Sequence, residues 1–168
     1  MVSIGDRAPE FSGSAVTHNG VKDLKLADFS GKWKILLFYV ADFSPVCPTE
    51  VAALNKEHEK FSLNGIELIG ISTDSLDRHK RLIKETLGGM LQFPLFADTD
   101  GIIGRSYGVF NLNNRLERRA TIILTPSDEI SYFCVSDNKI GRSTKELFRV
   151  SMALKSGDAC AVNWEPKT

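Results

Sequence analysis

The sequence has few cysteines, no excess of either charge and no long apolar run. Only three of its 168 residues are cysteine, an odd and low number that does not suit a secreted framework of disulfides. Lys and Arg together number 21, as do Asp and Glu, so net charge provides no attraction to nucleic acid or anionic lipid. The longest apolar stretch, residues 35–41, is far shorter than the roughly 20 residues that a membrane span requires.

Several signals of targeting and of cofactor binding are also missing. The first residues lack the basic stretch and apolar run of a secretory signal, so we expect a cytoplasmic protein. The cysteines and the three histidines are scattered without a C-x-x-C or H-x-x-x-H pair, so no metal site is predicted. Fingerprints for phosphate loops and dinucleotides are absent as well. We therefore expect no bound cofactor.

The composition that remains is that of an ordinary globular protein, with 42% hydrophobic and 25% charged residues. Short apolar runs alternate with amphipathic stretches, which predicts strands alternating with helices. The predicted elements are a strand at 34–40, a helix at 46–61, a strand at 66–72, a helix at 75–87, a short strand at 93–97, strands at 120–124 and 130–135, and a helix at 144–154.

This order predicts an α/β fold with a central mixed sheet flanked by helices. Parallel β-α-β units lead into an antiparallel hairpin, because residues 125–129 (TPSDE) have the composition of a turn. The first 30 residues are predicted to be an added extended segment or hairpin. Residues 156–168 are predicted to be a mobile tail of the same single domain, 1–168.

Cys47 is the leading candidate for a chemical role. It follows a predicted buried strand and a short loop, and it opens a predicted helix in which Pro48 takes a favourable first-turn position. A helix N-terminus offers free N–H groups and the positive end of the dipole, which favour the nucleophilic thiolate. Local context leaves the alternative of a structural buried cysteine open. Ser44, three residues earlier, is a suitable helix cap.

A longer pattern is more specific. Residues 38–50, FYVADFSPVCPTE, resemble the active-site segment of the peroxiredoxins, and VCPTE is the signature of their typical two-cysteine branch. Further segments resemble the family in the same order: residues 5–11, 72–75, 93–98, 119–123, 141–143 and 157–166. The resemblance covers nearly the whole chain and implies a thioredoxin-like fold.

The resemblance also implies a mechanism in which Cys47 is the peroxidatic cysteine and is oxidised to sulfenic acid by a hydroperoxide. Arg119 matches the family's catalytic arginine, whose fixed donors suit a thiolate and a polarised peroxide. Ser44 stands where the family has Thr or Ser, and Glu50 and Arg142 match a pair that braces the active-site loop. Taken alone, these two residues and Arg119 would be interpreted as solvated surface charges.

Cys160 matches the resolving cysteine of the family. The resemblance implies that it comes from a partner subunit and forms an intersubunit disulfide with Cys47, within a homodimer or a decamer built from such dimers. It implies recycling by thioredoxin or a similar reductant protein. Spacing alone would favour an incidental exposed thiol. Cys134 lies in an apolar, strand-like segment and is predicted to be a core or interface residue without a chemical role.

Departures from the family pattern keep a second function open. Val40 replaces a proline that shields the thiolate, which favours the alternative of a redox-dependent chaperone or signalling protein with weak peroxidase activity. Ala161 replaces a proline after the resolving cysteine. The sequence ends at Thr168 without the Tyr-Phe helix of peroxide-sensitive members, so we expect slow overoxidation. A thioredoxin-type oxidoreductase would need a cysteine at position 50, which is glutamate.

Overall fold

A computed structural model describes residues 2–166, and most of its strands join one seven-stranded sheet. The strands are β1 (Ser12–Thr17), β2 (Gly20–Lys25), β3 (Trp33–Phe38), β4 (Ile66–Ser72), β5 (Leu95–Ala97), β6 (Phe110–Asn111), β7 (Leu116–Glu117), β8 (Arg119–Leu124) and β9 (Ile130–Ser136). The helices are α1 (Cys47–Leu63), α2 (Leu76–Thr86), α3 (Ile102–Tyr107) and α4 (Thr144–Ser156), with a short 3-10 helix at Leu26–Phe29.

The centre of the sheet is parallel and its flanks are antiparallel. The strand order is β2-β1-β5-β4-β3-β8-β9, and β6 pairs with β7 as a separate hairpin. β3 runs parallel to β4 and antiparallel to β8. The apolar runs of β3, β4 and β8 are buried almost throughout, as is usual for strands covered on both faces. The predicted α/β fold with a central mixed sheet is confirmed.

Helices cover the two faces unequally. On one face, α1, α2 and α4 contribute to an apolar cluster that includes Val51, Leu82 and Leu147. On the other face, α3 and the N-terminal segment pack in a second cluster with Ile103 and Phe11. Burying each such aliphatic side chain stabilises the fold by about 1.5–3 kcal/mol. The sheet is thereby held between two layers, and α1 begins at one end of it.

The ends of α2 and α4 are capped by ordinary hydrogen bonds. The Ser75 and Ser143 hydroxyls accept the N–H groups of Arg78 and Glu146 at the starts of α2 and α4. α4 ends at Gly157, whose φ of 70° suits glycine. Residues 157–166 form no helix or strand, although the Arg149 guanidinium donates to a carbonyl of this tail at 3.2 Å. The mobility of the tail stays a prediction.

The predicted N-terminal addition is a hairpin, β1–β2, and β1 pairs with β5 so that the hairpin extends the sheet. Two local features, the helix α3 and the β6–β7 hairpin, were not predicted. α3 has six residues between Gly101 and Gly108, both left-handed, and is too short to show a helical period. Within residues 2–166, no helix combines the length and apolarity needed to cross a bilayer.

Candidate active site

Cys47 is the first residue of α1, at the carboxyl end of the central strands. Ser44 fixes this helix start, because its hydroxyl oxygen accepts the Cys47 N–H at 3.0 Å. Pro48 follows in the first turn, where its missing N–H costs no hydrogen bond. The Cys47 side chain is fully buried. The loop and the helix therefore hold one thiol in a defined place beneath the protein surface.

Arg119 reaches Cys47 because of the sheet topology. β8 runs antiparallel to β3, so its first residue lies at the end of β3 from which the chain enters the Cys47 loop. The Arg119 Nη2 lies 3.4 Å from the Cys47 sulfur, across a sequence separation of 72 residues. The guanidinium is as deeply buried as the thiol. A buried guanidinium at this distance donates a charge-assisted hydrogen bond to the sulfur.

Glu50 holds two arginines at the site. Its side chain is buried and forms an ion pair with the Arg119 Nη1. Arg142 donates to the same carboxylate from its backbone N at 2.6 Å and from Nε and Nη2 at 3.0 Å each. Two guanidinium groups for one carboxylate leave an excess of positive charge beside the sulfur. Removing the carboxylate would leave buried cations unpaired, which is costly.

Arg142 also ties the loop between β9 and α4 to the sheet. Its Nη1 donates to the carbonyl oxygens of Phe38 at 3.1 Å and Ala120 at 2.9 Å. From the same loop, the Asn138 carbonyl accepts from the Arg119 Nη2 at 2.9 Å. The loop therefore closes over Arg119 and orients its guanidinium toward the sulfur.

A buried polar network beneath the loop was missed by the sequence analysis. The Tyr39 hydroxyl donates to Asp42 at 2.8 Å, and the Asp42 N–H donates to Asp74 at 2.7 Å. His79, fully buried in α2, lies 2.8 Å from the Asp42 carboxylate and 3.1 Å from the Phe96 carbonyl oxygen. Burial raises the pKa of Tyr39 well above its usual value, so its hydroxyl remains a donor. The one available signal was a histidine within an otherwise charged helix.

The other two cysteines lie apart from this cluster. Cys160 is half-buried in the tail against α4, with its sulfur 3.8 Å from the Ala153 carbonyl oxygen and 3.5 Å from that of Asp158. Cys134 is exposed on β9. The prediction that Cys134 lies in the core is therefore wrong, because β9 is the last strand of the sheet and pairs only with β8 there. The interface alternative for Cys134 stays a prediction.

The structure thus brings together five of the residues that the sequence singled out: Ser44, Cys47, Glu50, Arg119 and Arg142. Among residues 2–166, no three His, Cys, Asp or Glu side chains are grouped to hold a metal ion. Fold and site together define an α/β protein with a buried, arginine-paired thiol at a helix N-terminus. This arrangement suits nucleophilic chemistry by sulfur.

Comparison with known proteins identifies the family. The AhpC/TSA family model matches residues 4–133. The chain is 36% identical over 169 residues to a thioredoxin peroxidase of Fasciola hepatica, covering 96% of this chain and 87% of that one. Its structure is similar to a reduced 2-Cys peroxiredoxin of Plasmodium vivax, with a TM-score of 0.89, 30% identity and coverage of 100% and 92%. It is also similar to AhpC of Mycobacterium bovis, with a TM-score of 0.89 and 28% identity, covering 98% of this chain and 99% of that one. The chain belongs to the AhpC/TSA family, the peroxiredoxins.

Proposed function

We propose that this protein is a thiol peroxidase that reduces hydrogen peroxide and organic hydroperoxides at Cys47. The observation that carries the proposal is the buried Cys47 sulfur at a helix N-terminus, 3.4 Å from the Arg119 guanidinium. Family membership supports a peroxidase, and relatives carry that activity in their names.

The proposed first step forms a sulfenic acid. The Cys47 thiolate attacks one peroxide oxygen, an S–O bond forms, and the O–O bond breaks. The second oxygen leaves as hydroxide or alkoxide and takes up a proton. Arg119 suits the charge that develops on this oxygen, because fixed donors stabilise a transition state without reorganising. The Ser44 hydroxyl oxygen accepts the Cys47 N–H at 3.0 Å, and its own hydrogen would be donated to a peroxide oxygen.

The proposed second step joins two subunits. Cys160 of a second copy attacks the sulfenic acid, water leaves, and an intersubunit disulfide forms. Cys47 is fully buried, so the first turn of α1 must open before a second sulfur comes within bonding distance. Cys160 lies outside the helices and strands, which suits a segment that must move. A thioredoxin-like dithiol protein then reduces the disulfide.

The exposed edge of the sheet supports a homodimer. Within the seven-stranded sheet β9 pairs with β8, and the backbone of Gly5 and Asp6 bonds to Ile130 at its start. The rest of this edge strand, as described in residues 131–136, is a template for a second chain. Val135 on this edge is 45% exposed. A second copy adding its own β9 would cover this edge. Assembly of such dimers into a decamer is a further part of the proposal.

A single gel experiment tests the cycle. One equivalent of hydrogen peroxide is added to the reduced protein, which is then run without reductant beside Cys47→Ser, Cys160→Ser and Cys134→Ser variants. We expect a covalent dimer with the unmodified protein and with Cys134→Ser, and none with the other two. A sulfenic acid at Cys47 without a dimer would contradict the role of Cys160. An unreactive Cys47 would contradict the peroxidase itself.

A second candidate function, a redox-dependent chaperone or signalling protein, is favoured by Val40. This residue is half-buried and packs against the apolar cluster beside Cys47, where the resembling family has proline. The rate of reaction of Cys47 with peroxide separates the two functions. A rate far above that of free cysteine supports the peroxidase, and an equal rate supports the alternative.

A further inference from the structure

Glu117, the last residue of β7, is buried in an unusual way. Its side chain is 1% exposed, and no N–H or hydroxyl group among residues 2–166 donates to either carboxyl oxygen. The carboxyl lies against Gly104 of α3, where the Cβ of any other residue would collide with both oxygens. The β6–β7 hairpin therefore docks on α3 through a buried acid.

A second carboxyl group, that of Asp98, lies next to this acid, since it accepts the N–H of Gly104, the residue against which the Glu117 carboxyl lies. Asp98 accepts the N–H groups of Ile103 at 3.1 Å and Gly104 at 2.8 Å at the start of α3. Two carboxyl groups can bond to each other only when one of them holds a proton. Burial, together with the hydrogen bond and charge of Asp98, raises the pKa of Glu117 to about 9. Glu117 is accordingly a neutral acid at pH 7.

One nearby cation, Arg105, offsets only part of the rise in the pKa of Glu117. Arg105, on α3, lowers the pKa of Glu117 through its charge. Its guanidinium is engaged elsewhere, because it lies 4.3 Å from the centre of the Phe110 ring and donates to the Asp100 carbonyl at 2.5 Å. Asp98 and Arg105 are the charged groups that act on Glu117.

The hairpin leads directly to the active site. Glu117 stands two residues before Arg119. The residue between them, Arg118, donates its N–H to the Val109 carbonyl at 2.8 Å, and the Val109 N–H donates to the Gly104 carbonyl at 2.8 Å. These two backbone bonds and the Glu117 carboxyl fix the hairpin, and with it the start of β8, against α3.

We propose that Glu117 is a positioning residue: its protonated carboxyl, buried against Gly104 beside Asp98, docks the β6–β7 hairpin on α3 and so holds Arg119 within reach of Cys47. Loss of the proton would place two buried carboxylates side by side and push the hairpin from α3. Because the Arg119 Nη2 lies 3.4 Å from the sulfur, a shift of about 1 Å would end this contact. The consequence for catalysis rests on the proposed peroxidase function.

The test compares the wild type with Glu117→Gln. Glutamine keeps the shape of the protonated acid and can donate to Asp98 at any pH. The second-order rate of Cys47 oxidation by hydrogen peroxide is measured for both proteins between pH 6.5 and 10, with the exposed Glu129→Gln as control. We expect equal rates at pH 7. By pH 10 we expect the wild type to react about tenfold more slowly than Glu117→Gln, which is less than the loss caused by removing a transition-state donor such as Arg119 altogether. Parallel profiles for all three proteins would overturn the proposal.

Two further measurements separate the inference from the function on which it rests. Infrared difference spectra of the wild type should show the carbonyl band of a protonated carboxylic acid at pH 7 and its loss by pH 10. An absent band at pH 7 overturns the proposal even if Glu117→Gln does not fold.

If Cys47 is unreactive at pH 7 in both proteins, the peroxidase proposal fails by itself. Hydrogen exchange of the backbone amides of residues 116–119 then tests the docking by Glu117. Exchange that is faster in the wild type than in Glu117→Gln at alkaline pH alone supports the docking, and equal exchange in the two proteins overturns it.

Discussion

Arg119 shows how much the role of one residue depends on its neighbours. Its guanidinium serves three acceptors at once: the Glu50 carboxylate, the Asn138 carbonyl and the Cys47 sulfur. The planar fork of arginine suits this task because Nη1 and Nη2 are separate, fixed donor sites, whereas lysine carries its three rotatable donors on a single nitrogen. In the sequence alone, the same residue beside Arg118 resembles an ordinary exposed cation at the start of a strand.

For this reason we expect Arg119→Lys to lower the rate of Cys47 oxidation by hydrogen peroxide by about 10²–10³-fold, the usual effect of losing one such donor. Stopped-flow kinetics of the reduced protein measures this rate. Arg118→Lys is the matched control, because Arg118 is the exposed neighbour on the same strand connection. Equal losses in both variants would contradict a specific role for the guanidinium of Arg119.

The raised pKa of Glu117 also predicts how the free energy of unfolding depends on pH. Its pKa is about 9 in the folded protein and near 4.5 otherwise, so the folded state holds the proton more tightly. The stabilisation is complete below pH 4.5 and is lost as pH rises toward 9, at about 1.4 kcal/mol per pH unit. We expect Glu117→Gln, which has no proton to lose, to exceed the wild type in stability by about 5 kcal/mol at pH 8.

Urea unfolding of both proteins at pH 5 and pH 8, at one protein concentration, measures this difference. Only the change in the difference between the two pH values counts, since the substitution itself can shift both. If the gap between variant and wild type is the same at pH 5 and pH 8, Glu117 does not titrate as described.

At the scale of the element, the start of α1 is the feature that matters. Its position is set by Ser44, whose hydroxyl accepts the Cys47 N–H, and by the polar network of Tyr39, Asp42 and His79 beneath the loop. Both sets of contacts belong to the loop, whereas the thiol belongs to the helix. The loop therefore determines where the Cys47 thiol lies.

We expect Ser44→Ala to lower the rate of Cys47 oxidation by about tenfold or more and to cost about 1 kcal/mol of stability, since it removes the hydroxyl and the hydrogen bond that the hydroxyl accepts from the Cys47 N–H. Ser44→Thr keeps both and should retain the rate to within a small factor. Peroxide kinetics and urea unfolding of the two variants provide the comparison. An alanine variant as fast as the threonine variant would refute a contribution of the hydroxyl.

At the scale of the whole molecule, the two edges of the sheet offer a matched test of assembly. Val135 on β9 and Val21 on β2 are 45% and 44% exposed, and β9 and β2 are the outermost strands. We expect Val135→Lys to weaken the proposed dimer about tenfold or more, because like charges would meet across the symmetric contact. Val21→Lys should leave it intact. Sedimentation at several protein concentrations measures the dimer dissociation constant of each variant. Equal dissociation constants for Val135→Lys and Val21→Lys would place the interface elsewhere.

The main elements were predictable because each carries a local signal. Continuous apolar runs mark β3, β4 and β8, and amphipathic stretches mark α1, α2 and α4. α3 and the β6–β7 hairpin carry none, because they are too short for a periodic pattern and exist through contacts with the rest of the fold. The buried acid Glu117 was missed for the same reason, since nothing next to it in the chain shows that Asp98 will face it.

The sequence by itself determined the α/β class, the helix that begins at Cys47 and, through its resemblance, the peroxiredoxin family. These follow from residues close together in the chain, where apolar period, capping and motif operate. Only the tertiary structure decided that Arg119 lies 3.4 Å from a sulfur 72 residues away, that Glu50 joins two arginines, and that Cys134 is exposed. The physical reason is that burial and pairing of charges depend on strand order and direction, which bring together residues distant in sequence.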